Sequence, residues 1–196
     1  THCISSAASD VYKRQNLLTL DGTVYFTDVV DYEAKAGGSI AIGSGGDVTF
    51  TTDTDAMTFS TAPVVLSGNG TTTMTTGGAG AGIITFASTI DGTGGSGENL
   101  TLESGTGNIT VTGAIGASSA LGNLTMNTGG DGDITLTSNI GADASNHGAA
   151  VTAIGNATTA DLNLNGTIYT TSGAATYTSA GTDLGGSSPT FTTSAD

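Results

Sequence analysis

Asn99-Leu100-Thr101-Leu102, a Gly-rich turn, Asn108-Ile109-Thr110-Val111 and Ile115-Gly116 make up a unit that is followed directly by a second copy. The copy reads Asn123-Leu124-Thr125-Met126, a Gly/Asp turn, Asp133-Ile134-Thr135-Leu136 and Ile140-Gly141, displaced by 24 residues in its first segment and 25 in its second. Inside each segment apolar and polar side chains alternate, which is the period of a strand with one buried face. Gly, Asn and Asp separate the segments, where corners need positive φ or close backbone approach.

The same grammar extends in both directions. Upstream it appears as Ile84-Thr85-Phe86 with Ile90-Asp91-Gly92, and as Ile40-Ala41-Ile42 followed by Asp47-Val48-Thr49-Phe50. Leu18-Thr19-Leu20 with Val24-Tyr25-Phe26 fits as an earlier copy, and Met57-Thr58-Phe59 with Val64-Val65-Leu66 as a shorter one. Downstream, Asp161-Leu162-Asn163-Leu164 and Ile168 lie 28 residues beyond the preceding copy, the loop 142–147 absorbing part of the added length.

One such unit of two or three short strands cannot bury its own apolar face, so a fixed period of this length predicts stacked units sharing a core. The expected fold class is all-β, a parallel β-helix of about seven turns of about 22–28 residues, forming a rod about 35 Å long. Equivalent residues should then stack directly, with Phe86, Val111 and Leu136 pointing inward and Thr85, Thr110 and Thr135 outward. The domain reading is a leader over 1–15, one solenoid over 16–181, and a Gly/Ser/Thr-rich partial turn or linker over 182–196.

Composition supports strands and turns over helices, since 32 residues are Gly and Thr, Ser and Ala dominate the rest. Charged residues are only 10% of the chain, and 17 acidic against 3 basic side chains leave a net charge of −14. That charge repels phosphate backbones and anionic headgroups, which weighs against nucleic-acid binding and electrostatic membrane association. No apolar run approaches the about 18 residues needed to span a bilayer, so no membrane insertion is expected. Cys3 is the single cysteine, which rules out an intramolecular disulfide and a thiolate metal cluster within this chain.

Gly-[Asp/Asn]-[Ile/Val]-Thr-[Phe/Val/Leu], repeated about every 25 residues with Ile-Gly or Ile-Asp-Gly after it, resembles the strand repeats of filamentous-haemagglutinin-like and autotransporter adhesins. The resemblance covers roughly residues 39–181. It implies a right-handed solenoid displayed outside the cell or at its surface, holding binding elements away from the surface or contributing to aggregation. The opening segment Ser5-Ser6-Ala7-Ala8-Ser9-Asp10-Val11-Tyr12-Lys13-Arg14-Gln15 resembles the translation of sequencing-adapter DNA, which implies a leader foreign to the gene and a truncated chain.

Candidate chemistry is sparse. His2 lies in the leader and His147 in a loop, so no histidine pair offers itself for a metal site or a Ser-His-Asp arrangement. Parallel β-helices also include polysaccharide lyases and hydrolases, but lyase chemistry calls for cationic groups and Lys35 is the one basic residue after residue 15. A glycosidase needs two carboxylates within about 5–9.5 Å of each other. The best acidic group is Asp28, Asp31 and Glu33 with Asp53 and Asp55, because separations of 24–25 residues would set Asp31 over Asp55 and Asp28 over Asp53. Solvated turn charges are the ordinary reading of such a group, and a Ca²⁺ site of hard oxygen ligands is the sharper one.

Gly129-Gly130-Asp131-Gly132-Asp133-Ile134 lacks the nine-residue repeat of a calcium-binding nonapeptide array and reads as a turn. The Asn-x-Thr sequons at Asn69, Asn99, Asn108, Asn123, Asn156 and Asn165 arise because the repeat itself begins Asn-apolar-Thr. Tyr169, Tyr177 and Phe191 are either core filling or an exposed patch. Three functions follow in order. The first is a structural stalk or fibre subunit that associates end to end or with neighbouring repeats of a longer chain. The second is an adhesin module contacting a surface glycan or receptor through loops 92–98 and 142–148, and the third a polysaccharide-degrading enzyme. No catalytic residue, cofactor or firm metal ligand is assigned.

Overall fold

The computed structural model describes residues 16–194 except 28, 44, 79, 95, 96, 144 and 145. Its regular structure consists of twenty strands, every pair of them parallel. The first turn comprises β1 (Leu17–Leu20), β2 (Val24–Thr27) and β3 (Val30–Glu33). The second comprises β4 (Ser39–Ile42), β5 (Val48–Thr52) and β6 (Met57–Ser60), and the third β7 (Val64–Leu66), β8 (Thr71–Thr75) and β9 (Ile84–Phe86). The fourth holds β10 (Ile90–Asp91), β11 (Asn99–Ser104) and β12 (Ile109–Val111). In the fifth and sixth turns single bridges at Ile115 and Ile140 replace the first strand, ahead of β13 (Leu121–Thr128) with β14 (Ile134–Leu136), and β15 (Ala149–Ile154) with β16 (Asp161–Leu164). The seventh holds β17 (Ile168–Thr171), β18 (Ala175–Tyr177) and β19 (Gly181–Asp183), and β20 (Thr190–Thr193) begins a further rung on β17.

The chain is therefore a three-faced β-solenoid, one strand of each turn per face. The third face is the seven-stranded sheet running from β3 to β19 and counts the turns directly. Because a strand presents alternate residues to opposite sides, each face sends one column of side chains inward. On the first face it runs Leu18, Ile40, Val64, Ile90, Ile115, Ile140, Tyr169, Phe191. On the second it runs Tyr25, Phe50, Met74, Leu102, Met126, Ile154, Tyr177. On the third it runs Tyr32, Phe59, Phe86, Val111, Leu136, Leu164. The inward and outward ladders expected around residues 85–136 occur in that register.

Two expectations of detail need correcting. Asp47-Val48-Thr49-Phe50 carries the same local phrase as Asp133-Ile134-Thr135-Leu136, yet Val48 pairs with Thr72 on the second face while Ile134 pairs with Ile109 on the third. The phrase marks a strand entered from a tight corner, and the fold has such corners on more than one face. Likewise Met57–Ser60 closes the second turn and Val64–Leu66 opens the third, so together they do not form a short copy of one turn. Beyond β19, β20 pairs in register with β17.

Polar groups also run in columns. At the corner between the second and third faces, Thr52, Thr76, Ser104 and Thr128 turn their hydroxyls inward, each donating to a carbonyl of the loop just after it: Asp55 O, Gly82 O, Gly107 O and Gly132 O at 2.6–3.0 Å. Each such buried hydrogen bond contributes a net of about 0.5–1.5 kcal/mol. Thr128→Val keeps the shape while removing two hydrogen bonds, to Gly132 O and to the Thr159 hydroxyl 3.0 Å from Thr128 Oγ1; Gly132 O keeps Ala160 N as a donor and the Thr159 hydroxyl keeps Asn156. The variant is expected to lose about 1–2 kcal/mol in chemical denaturation; a loss below about 0.5 kcal/mol would show that the corner hydroxyl is not a structural clamp.

Side-chain acceptors also cross between turns on all three faces. Asn99 Oδ1 accepts from Asn123 N at 2.7 Å, Asp47 Oδ1 from Thr71 N at 2.8 Å, Asn108 Oδ1 from Asp133 N at 2.9 Å, and Asn139 Oδ1 from Thr167 N at 2.8 Å. An Asn or Asp at a strand entry thus supplies an acceptor to the first free N–H of the next turn. This is why the repeat opens Asn-apolar-Thr.

Candidate functional site

Asp31 sits in β3 opposite Thr58, with its Oδ1 accepting from Ser60 Oγ at 2.7 Å. It does not stack on Asp55. Asp53 and Asp55 belong to the corner after β5, where the Asp55 carbonyl takes the Thr52 hydroxyl. The offset between β3 and β6 is 27 residues, not 24, so the acidic residues fall on a strand in one turn and in a corner in the next. Asp28, and with it the pairing of Asp28 with Asp53, lies outside the described residues. Glu33 pairs with Ser60 in the same ladder. Among the described residues no three His, Cys, Asp or Glu side chains gather in a way that could hold a metal ion.

Two loops project from the corner between the first and second faces. In the first, Glu98 is 3% exposed, and its Oε1 accepts from both the backbone N–H and the hydroxyl of Thr93. Its Oε2 is buried without a hydrogen bond. Gly92 allows this folding back, since a Cβ there would lie 2.8 Å from Ala120 O and 3.1 Å from Glu98 Oε2. One turn on, Ser118 N donates to Asp91 Oδ1 at 2.9 Å and Gly122 N donates to Glu98 O at 2.8 Å, so the neighbouring corner is fastened to this one. The second loop is closed by Asn146, whose N and Nδ2 donate to Asp143 Oδ1 and Oδ2 at 2.9 and 3.0 Å. His147 follows, its Nε2 buried and without a hydrogen-bond partner.

The C-terminal end has a different character. Phe191, Tyr177 and Leu184 are the last side chains of the three inward directions: Phe191 stacks on Tyr169 at 4.9 Å, Tyr177 meets Phe191 edge-on at 5.4 Å, and Gly185 N bonds Leu164 O beside Leu184. Tyr169 is fully buried with Gly166 N donating to its hydroxyl at 2.8 Å, whereas Phe191 is 44% and Leu184 48% exposed. Burial drives the Tyr177 hydroxyl far above the ordinary tyrosine range, and neighbouring Tyr169 adds to the effect. The two tyrosines therefore fill the core, and Phe191 is the uncovered rung above them. Sequence reasoning named these three residues but not Leu184, whose role appears only once the third-face ladder is traced past Asp183.

No family model matches the chain, and no curated protein or solved structure matches it.

Proposed function

We propose that the chain is a rod segment of an extracellular microbial adhesin or filament, acting as a rigid stalk or as a fibre subunit that joins end to end. The single observation that carries this reading is the continuity of the parallel ladders through seven turns, which gives stiffness without any one specialised site. Phe191 and Leu184, exposed on the last described rung, fit one more rung of the same chemistry, whether from another copy or from neighbouring repeats of a longer chain. No reaction is assigned to the chain.

A second reading, contact with a surface glycan or receptor, is supported by the Glu98-braced loop, which is fastened to the neighbouring turn on one corner of the rod. Rigid scaffolds commonly carry their binding residues on such loops. Negative-stain electron microscopy and light scattering of the purified chain separate the two. The expected result is rods in whole multiples of about 35 Å, reduced to single rods by Leu184→Asp with Phe191→Asp. Dispersed single rods at every concentration would remove the fibre reading and leave the loop corner as the better candidate.

A further inference from the structure

On the outer side of the third face Thr58, Thr85, Thr110 and Thr135 form one uninterrupted column. Beside it runs a second, Ser60, Ala87, Thr112 and Thr137, held in line by Ala87 N to Phe59 O, Thr112 N to Phe86 O and Thr137 N to Val111 O at 2.9–3.0 Å. Two adjacent turns thereby present Thr-x-Thr, at Thr110/Thr112 and Thr135/Thr137. Strand geometry sets the spacing of this array at about 4.8 Å from rung to rung and about 6.6 Å across a strand.

The contrast with the inward hydroxyls is informative. Thr52, Thr76 and Thr128 spend theirs on internal carbonyls. The hydroxyls of Thr58, Thr85, Thr110, Thr112 and Thr137 make no intramolecular hydrogen bond among the described residues, and Thr135 Oγ1 only accepts from Asn163 Nδ2 at 3.4 Å. Each free hydroxyl can both donate and accept, and each stands next to a methyl group.

From Thr58 and Ser60 to Thr135 and Thr137 the two columns carry no formal charge in a chain of net charge −14; Asp31 and Glu33 stand on the rung before them, with Asp31 Oδ1 occupied by Ser60 Oγ. Asp133 lies two residues before Thr135, and its Oδ1 is occupied by Asp161 N. The second face has a similar column, Thr49, Thr73, Thr101 and Thr125, but Asp47 and Glu103 interrupt its neighbours.

A partner for the third face must therefore be neutral, repetitive on a scale of a few ångströms, and held by hydroxyls and methyls alone. A phosphate polymer requires cations that this face lacks. A sugar surface is gripped through aromatic stacking, and the stacked rings of Phe59 and Phe86 are buried in the core. A protein partner would want a desolvated apolar or aromatic centre. Ordered water meets every condition, because first-shell waters bonded to one rung repeat at the next, and a rigid array loses little freedom on binding them.

We propose that the third face, over Thr58–Thr137, binds the surface of ice. The proposal is independent of the fibre reading, since it uses the side of the rod and not its end.

The test is microscopy of a single ice crystal held in a solution of the purified chain. The expected outcome is faceted crystal growth and a measurable gap between melting and freezing temperatures. Thr85→Lys with Thr112→Lys should abolish both. Thr101→Lys, on the second face, should leave both at the level of the unsubstituted chain, with circular dichroism confirming that each variant is folded. If the double variant fails to fold, Thr112→Lys alone, at an exposed position, carries the comparison and should lose most of the gap. Unfaceted crystals with the unsubstituted chain, or equal losses from Thr101→Lys and the third-face variants, would overturn the proposal.

Discussion

Phe86→Ala is expected to lower the unfolding free energy by about 3–5 kcal/mol, the largest loss of any single truncation considered for this chain. Phe86 is buried in the third turn and stacks on Phe59 with ring centroids 4.6 Å apart and an interplanar angle of 4°. Val111 lies on its other side in the same column. Truncation removes the burial of one aromatic ring, the stacking contact, and the fill between two rungs whose spacing is fixed by backbone ladders. Those ladders prevent the rungs from closing over the void, so the site collapses little and the cost lies towards the upper end of the range. Urea denaturation followed by far-ultraviolet circular dichroism reads this directly. A loss under about 1.5 kcal/mol, the scale of a volume-conserving swap, would mean that the columns are not tightly packed.

Gly107→Val is the second large effect and works through the opposite physics. An added Cβ at Gly107 would overlap the Gly82 carbonyl oxygen and lie 2.6 Å from both the Gly82 carbonyl carbon and Ala81 O. Every obstructing atom is backbone, so no side chain can swing aside. Gly107 also presents the carbonyl that accepts from Ser104 Oγ at 2.6 Å, and any shift of the corner strains that bond as well. The expected loss is about 3 kcal/mol, the upper end of the usual overpacking cost. Gly46→Val, at a corner where a Cβ would meet nothing within 4 Å, is the natural control and should change stability by less than about 0.5 kcal/mol. Equal losses at the two positions would show that close approach between successive corners is not what selects glycine at Gly107.

The two substitutions probe different layers of what the sequence encodes. Strand alternation is local: the backbone turns each residue over relative to its neighbour, so Ile109-Thr110-Val111 declares which side chains go inward before any partner is known. The 25-residue recurrence from Thr85 to Thr110 to Thr135 is equally legible and matches the observed register. Together these fix a parallel solenoid. The Asn that opens each repeat was visible as well, although its task of bonding the next turn's N–H was not.

Which face a strand joins, and what stands above it, came from tertiary structure alone. Asp31 and Asp55 look stackable on paper, but Asp31 pairs with Thr58 because register is the sum of every corner in a turn, and the corners take up different numbers of residues. Corner lengths depend on Gly conformations and close backbone contacts between turns, neither of which leaves a periodic mark in the sequence. The inward hydroxyls of Thr52, Thr76 and Thr128 and the buried Glu98 were hidden for the same reason, since a polar residue in a Thr-rich chain reads as surface until its carbonyl or amide partner is in place. The sequence by itself determined the repeat and the side of the strand each residue occupies, because both follow from backbone geometry over two residues. The vertical neighbours, the polar clamps and the uncovered end at Phe191 and Leu184 were decided only when whole turns closed upon one another.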